Sequence, residues 1–219
     1  MPFPISVIYN DGKETYHNNF SEISTKCHCD SDFLFGFSGM HICAITYIIK
    51  IYCNFNRLNS LPQNFDFPNL THFNCSNNNL TSLPPNMNLP NLIEFNCSNN
   101  NLTSLPPNMN LPNLTTFYCH YNKLTLLPNN MIFPKLNHFC CSNNELKSLP
   151  NIFNFPNLMH FDCCYNKLKS LPDNMNCPKL KWLFCYRNKI YYIPPFINCV
   201  INKDDKDNCP KFIRHKLLI

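Results

Sequence analysis

The stretch Leu70-Thr71-His72-Phe73-Asn74-Cys75-Ser76-Asn77-Asn78-Asn79-Leu80-Thr81-Ser82-Leu83-Pro84 returns almost unchanged 22 residues later, as Leu92 to Pro106. Its fixed points Leu70, Phe73, Cys75, Asn78, Leu80, Leu83 and Pro84 become Leu92, Phe95, Cys97, Asn100, Leu102, Leu105 and Pro106. The same step leads on to Leu114, Leu136, Leu158 and Leu180, each followed by its Cys and Asn (Cys119 and Asn122, Cys141 and Asn144, Cys163 and Asn166, Cys185 and Asn188). Stepping back gives Ile48, Ile51, Cys53, Asn56, Leu58, Leu61 and Pro62. Seven units without insertion or deletion therefore occupy residues 48–199.

Each part of the unit predicts a local conformation. Phe73 and Cys75 alternate with Asn74, so they face one side of a short strand and Asn74 the other. Stacked units set these strands side by side as a parallel sheet with rungs about 4.8 Å apart. The recurring Asn follows the strand where the chain turns, and its amide is suited to satisfy backbone groups in its own coil and a neighbouring one. Leu83-Pro84-Pro85-Asn86-Met87 cannot be α-helical, because each proline removes a donor and clashes with the preceding turn. No unit buries enough apolar surface to stand alone, so neighbours must complete each other's core.

The unit L-x-x-F-x-C-x-x-N-x-L-x-x-L-P resembles the leucine-rich-repeat family, with Phe and Cys at the second and third leucine positions. The short period, the L-P step and the Asn-rich composition are similar to repeat proteins of bacterial effectors and of giant viruses of amoebae. The resemblance implies a leucine-rich-repeat solenoid with a parallel β-sheet on the concave face, an extended or 3-10 convex side and little α-helix.

Residues 1–47 lie outside the register. Ile5 to Tyr9, the Asn10-Asp11-Gly12-Lys13 turn and Glu14 to Tyr16 read as a β-hairpin in a non-repeat N-terminal cap. The segment is similar to the opening strands of a BTB/POZ domain, which implies an alternative role as the substrate-recognition arm of a ubiquitin ligase. Phe33 to Ile49 is nearly uncharged, but it falls short of the ~20 residues of a spanning helix and carries Gly36, Gly39 and His41. It reads as part of the cap. Residues 200–219 read as a C-terminal cap or tail.

Composition excludes several functions. All three glycines precede residue 40, so no glycine-rich phosphate loop or dinucleotide fingerprint exists beyond it. The N-terminus lacks a basic head followed by an apolar run, which with fifteen cysteines and no C-x-x-C pair predicts free thiols in an intracellular, cytoplasmic setting. An effector or viral origin would place it within a host cell.

Function is expected on the concave face, where every strand presents side chains on a rigid support. Early units offer Asn and Ser there. Later ones offer Tyr118, His120, Tyr121, His138, His160, Asp162, Tyr165, Trp182, Tyr186 and Arg187, residue types enriched in binding hot spots. Trp182 and Phe184 could instead lie under the C-terminal cap. His138, Cys140, His160, Asp162 and Cys164 fall on adjacent rungs and could ligate zinc or pair a Cys with a His, but a flat sheet offers no pocket to exclude water. Cys27-His28-Cys29 is too closely spaced for a strong metal pair. No catalytic residue, metal or cofactor is therefore assigned. Residues 123–219 carry fourteen basic and six acidic residues, with Lys123, Lys147, Lys167, Lys169 and Lys189 along one edge. The expected activity is non-enzymatic binding of a protein partner, acidic in character. Nucleic-acid or phosphoinositide binding through the basic half is the alternative, and no small-molecule substrate or membrane span is expected.

Overall fold

The computed structural model describes residues 4–25, 46–194 and 200–201. Strands β1 (Ile5–Tyr9) and β2 (Glu14–His17) form a hairpin whose turn holds Gly12 at a φ of +83°, a left-handed conformation that glycine adopts without a Cβ penalty. Helix α1 (Phe20–Thr25) follows. Asn19 Oδ1 accepts the Glu22 N–H, and the Glu22 carboxylate reaches back to the Asn18 N–H, so each side chain satisfies an orphan donor at the helix start.

The repeats begin with β3 (Ile48–Tyr52), and between this strand and the next lies β4 (Asn64–Asp66). The pattern continues with β5 (His72–Asn74), β6 (Asn86–Asn88), β7 (Glu94–Asn96) and β8 (Thr116–Tyr118). It ends with β9 (His138–Cys140), β10 (His160–Asp162), β11 (Trp182–Phe184) and β12 (Val200–Ile201). One sheet joins β2-β1-β3-β5-β7-β8-β9-β10-β11-β12 in that order. Its repeat strands are parallel and in a single register, so Ile51, Phe73, Phe95, Phe117, Phe139, Phe161 and Leu183 lie opposite one another. The hairpin joins as the antiparallel end of this sheet, β1 against β3. At the other end β12 pairs with β11, Leu183 opposite Ile201, a step of eighteen residues instead of 22.

This is the expected solenoid, with two differences in detail. The strands centre on the phenylalanine, one residue before the predicted midpoint, and Cys75 extends the ladder through its N–H to Asn96 O at 2.9 Å. The convex side is extended as expected, yet it also pairs: β4 and β6 form a second parallel ladder, and Asn110–Ile132 and Asn154–Asn176 continue it as single bridges. The expected cap at 33–45, the Cys27-His28-Cys29 cluster, Cys199 and the tail at 202–219 lie outside the described residues.

The core is a set of columns along the stack. Phe73, Phe95, Phe117, Phe139 and Phe161 stack ring on ring at centroid spacings of 5.4–5.5 Å. Phe65 and Phe20 extend the aromatic packing into the hairpin-helix cap. Beside them runs the cysteine column, Cys53 through Cys185, buried with free thiols. The asparagine column locks coil to coil. Asn100 Nδ2 donates to Cys75 O, Cys97 O and Ser98 O, while its Oδ1 accepts the Leu80 N–H.

Candidate functional site

Because the register is constant, each strand position becomes a column on the concave sheet. The first column carries Lys50, His72, Glu94, Thr116, His138, His160 and Trp182. In its later half the rings stack continuously, His138 on His160 at 4.1 Å and His160 on Trp182 at 4.2 Å, within 14° of parallel. Lys181 Nζ lies 5.9 Å from the Trp182 ring centre. Burial, then the neighbouring His138 and Lys181, hold the His160 imidazole below the ordinary histidine value.

The next column reads Tyr52, Asn74, Asn96, Tyr118, Cys140, Asp162 and Phe184. Two small side chains between two rings leave a hollow. Tyr118, His138, Cys140, Asp162, Phe184 and Tyr186 line this open depression of about 380 Å³, so the sheet is not flat here. Asp162 Oδ1 accepts the Cys164 N–H at 3.0 Å and Oδ2 lies 3.4 Å from Cys140 Sγ. Burial first, then the Asp162 charge, push the Cys140 thiol up to about 11. Burial likewise pushes the Tyr186 hydroxyl up to about 12. A thiol held protonated is a poor nucleophile, and the stacked histidines lie face to face instead of converging. Among the described residues no group of three His, Cys, Asp or Glu side chains is placed to hold a metal.

Of one column assigned to the surface, only the large side chains of His120 and Tyr186 reach out, half-buried. Ser76, Ser98, Ser142 and Cys164 are buried, because the chain has left the strand and turned inward at this position. His120, in the same column, is half-buried between Tyr118 and Tyr121, with its Nδ1 unpartnered. Burial lowers its basicity, partly offset by Asp162.

The following position is half-buried where it holds Asn, exposed where it holds a larger residue, and conformationally special. Phe55, Asn77, Asn99, Tyr121, Asn143, Tyr165 and Arg187 all have left-handed backbones, with φ between 51° and 59°. Asn suits such a turn, whereas bulkier residues carry a cost of about 1–2 kcal/mol. Tyr165 and Tyr186 meet edge to face at 5.4 Å. The structure thus gathers Tyr118, His138, His160, Asp162, Trp182 and Tyr186 around the depression, with Tyr121, Tyr165 and Arg187 one column away. Cys140 and Phe184, which the sequence places on this face but not among the expected partner-binding residues, belong to the same surface. Their signal was the 22-residue spacing from Tyr118 and Asp162.

The lysines of the adjoining edge are exposed. Lys167 pairs with Glu145 at 2.8 Å, which holds the Glu145 carboxyl below its ordinary value. No helix among the described residues is long and apolar enough to cross a membrane.

The family model for leucine-rich repeats (two copies) matches residues 90–130. Among solved structures, YopM from Yersinia enterocolitica is 28% identical at a TM-score of 0.55, covering 71% of this chain and 38% of its own. YopM from Yersinia pestis, described as a leucine-rich effector protein, is 29% identical at a TM-score of 0.54, covering 68% of this chain and 41% of its own. A leucine-rich-repeat protein of Leptospira interrogans shares the fold at 24% identity and a TM-score of 0.51, over 74% of this chain and 50% of its own. The chain therefore spans half or less of the length of these proteins. No curated protein matches it.

Proposed function

We propose that this leucine-rich-repeat solenoid binds another protein on its concave sheet, through the half formed by β8 to β11, without catalysing a reaction. The observation that carries this reading is the residue choice at the left-handed position. Units that need only to turn place Asn there, at 77, 99 and 143, whereas Phe55 in the first unit and Tyr121, Tyr165 and Arg187 in the later ones accept strained backbone with exposed side chains, and the last three share one half of the sheet. Backbone strain of this kind concentrates at functional sites, and Tyr and Arg are the residue types that dominate interface energetics. The adjoining lysine edge favours a partner of acidic overall charge, by speeding encounter. The buried free thiols support an intracellular, reducing setting.

The test is capture of partners from a cell lysate by the full chain, followed by affinity measurement. Tyr165→Ala with Arg187→Ala weakens the captured partner's binding at least about tenfold, or roughly 1.4 kcal/mol. Asn74→Ala with Asn96→Ala in the first half leaves it nearly unchanged. If the Asn pair is the more damaging while both variants stay folded, the site lies in the first half.

A further inference from the structure

The strand position shared by Asn74, Asn96 and Asp162 provides a comparison internal to the molecule. Asn74 Oδ1 accepts the Ser76 N–H, Asn96 Oδ1 the Ser98 N–H and Asp162 Oδ1 the Cys164 N–H, each at 3.0 Å. The amides at 74 and 96 close the same turn at the same distance, so the turn does not require the negative charge of Asp162. The other oxygen of Asp162 meets the Cys140 thiol at 3.4 Å, a weak donor. No lysine or arginine among the described residues forms an ion pair with Asp162, and none lines the depression. Half-buried charge of this kind is costly unless it is paired. Around it stand Tyr118, Phe184 and Tyr186, with the edge of the stacked His138 and His160 beside them; the faces of Tyr and Phe rings attract cations.

We infer that the depression seats the guanidinium of one arginine side chain from the protein partner, with Asp162 taking it in a forked pair and the aromatic walls stacking on its plane. The inference rests on the concave-face reading above and names the chemistry of its anchor. Arginine fits better than lysine because its planar fork matches both carboxylate oxygens and its flat face stacks on rings. The exposed Lys167, Lys181 and Lys189 nearby oppose a polybasic segment. The occupant is therefore a single arginine in a neutral or acidic stretch.

Trp182 is the chain's one tryptophan, and its stacking on His160, a wall of the depression, makes its fluorescence a reporter of occupancy. The full chain is titrated with three capped nonapeptides of Ser, Gly and Glu: one with a single central arginine, a twin with citrulline there, and one with three arginines. The single-arginine peptide is expected to give a saturable change and to bind at least about tenfold tighter than the citrulline twin, with the three-arginine peptide weaker. In Asp162→Asn, whose amide has its precedent at Asn74 and Asn96, that preference disappears while the unfolding midpoint and the unliganded fluorescence stay unchanged. Equal binding of arginine and citrulline peptides, no saturable change, tighter binding of the three-arginine peptide, or an intact preference in Asp162→Asn overturns the inference. Partner capture in the Tyr165/Arg187 variant separates the two readings. Lost capture beside an unselective depression overturns only the arginine site, and retained capture overturns the placement of the partner on β8 to β11, on which the arginine site rests.

Discussion

The Cys75 carbonyl accepts two side-chain amides, Asn78 from its own coil and Asn100 from the next. The same double acceptance recurs at Cys97, Cys119, Cys141 and Cys163. Replacing Asn100 by Ala thins these pairs and orphans the buried Leu80 N–H, so we expect a loss of about 2–3 kcal/mol in denaturant unfolding. Asn101→Ala, with an unpaired side chain next to it, should stay within about 0.5 kcal/mol. At the left-handed position the comparison of Tyr165→Asn with Tyr165→Ala removes the same ring contact and leaves only the backbone preference. The Asn variant should be the more stable by about 0.5–1 kcal/mol, while both lose partner affinity. Equal stabilities would mean that Tyr165 sits there without strain. The asparagine ladder was legible in the sequence because its residue never varies. The left-handed column was not, because periodicity marks invariant positions and this one changes identity from Asn to Tyr to Arg.

Three adjacent strands, β9, β10 and β11, contribute the His138–His160–Trp182 stack, and this element carries the pH dependence. His160 and, two columns away, His120 are both held below the ordinary histidine value. As pH falls through about 6.5, the unfolded chain takes up protons that the folded chain resists. Stability is thus full above that value and is lost on acidification. The thermal midpoint of the wild type should fall between about pH 7.5 and 5, and more steeply than that of His160→Gln. A parallel pair of curves would remove His160 from the account. The concave strands were readable from F-x-C alternation to within one residue. The convex ladder of β4 and β6 was not, since Asn64-Phe65-Asp66 and Asn86-Met87-Asn88 are too short for alternation to stand out from a turn. Nor did the pattern reveal that the cap hairpin enters the concave sheet as its antiparallel end, because pairing partners outside the period leave no mark on it.

Across the whole molecule, the columns make the stack one cooperative array in which each coil is completed by its neighbours. The seven column thiols measure that cooperativity. Burial raises the pKa values of Cys53, Cys75, Cys97, Cys119, Cys141 and Cys163 above the ordinary thiol range, so alkylation followed by mass spectrometry should leave these six unlabelled in the native chain, with no disulfide among the column, and label them together as denaturant unfolds it. Stepwise labelling from one end would show that coils open independently. The solenoid itself was legible because seven units repeat one core pattern. The depression needed the structure, since it arises from a size mismatch across four rungs, Tyr118, Cys140, Asp162 and Phe184, that no single unit displays. The asparagine column also has a direction. Each amide reaches back, to carbonyls and N–H groups of the coil that precedes it in the chain. During synthesis, then, each coil emerges with N–H groups that only the coil still to be translated can satisfy, so the growing end stays unfinished until its successor has left the ribosome.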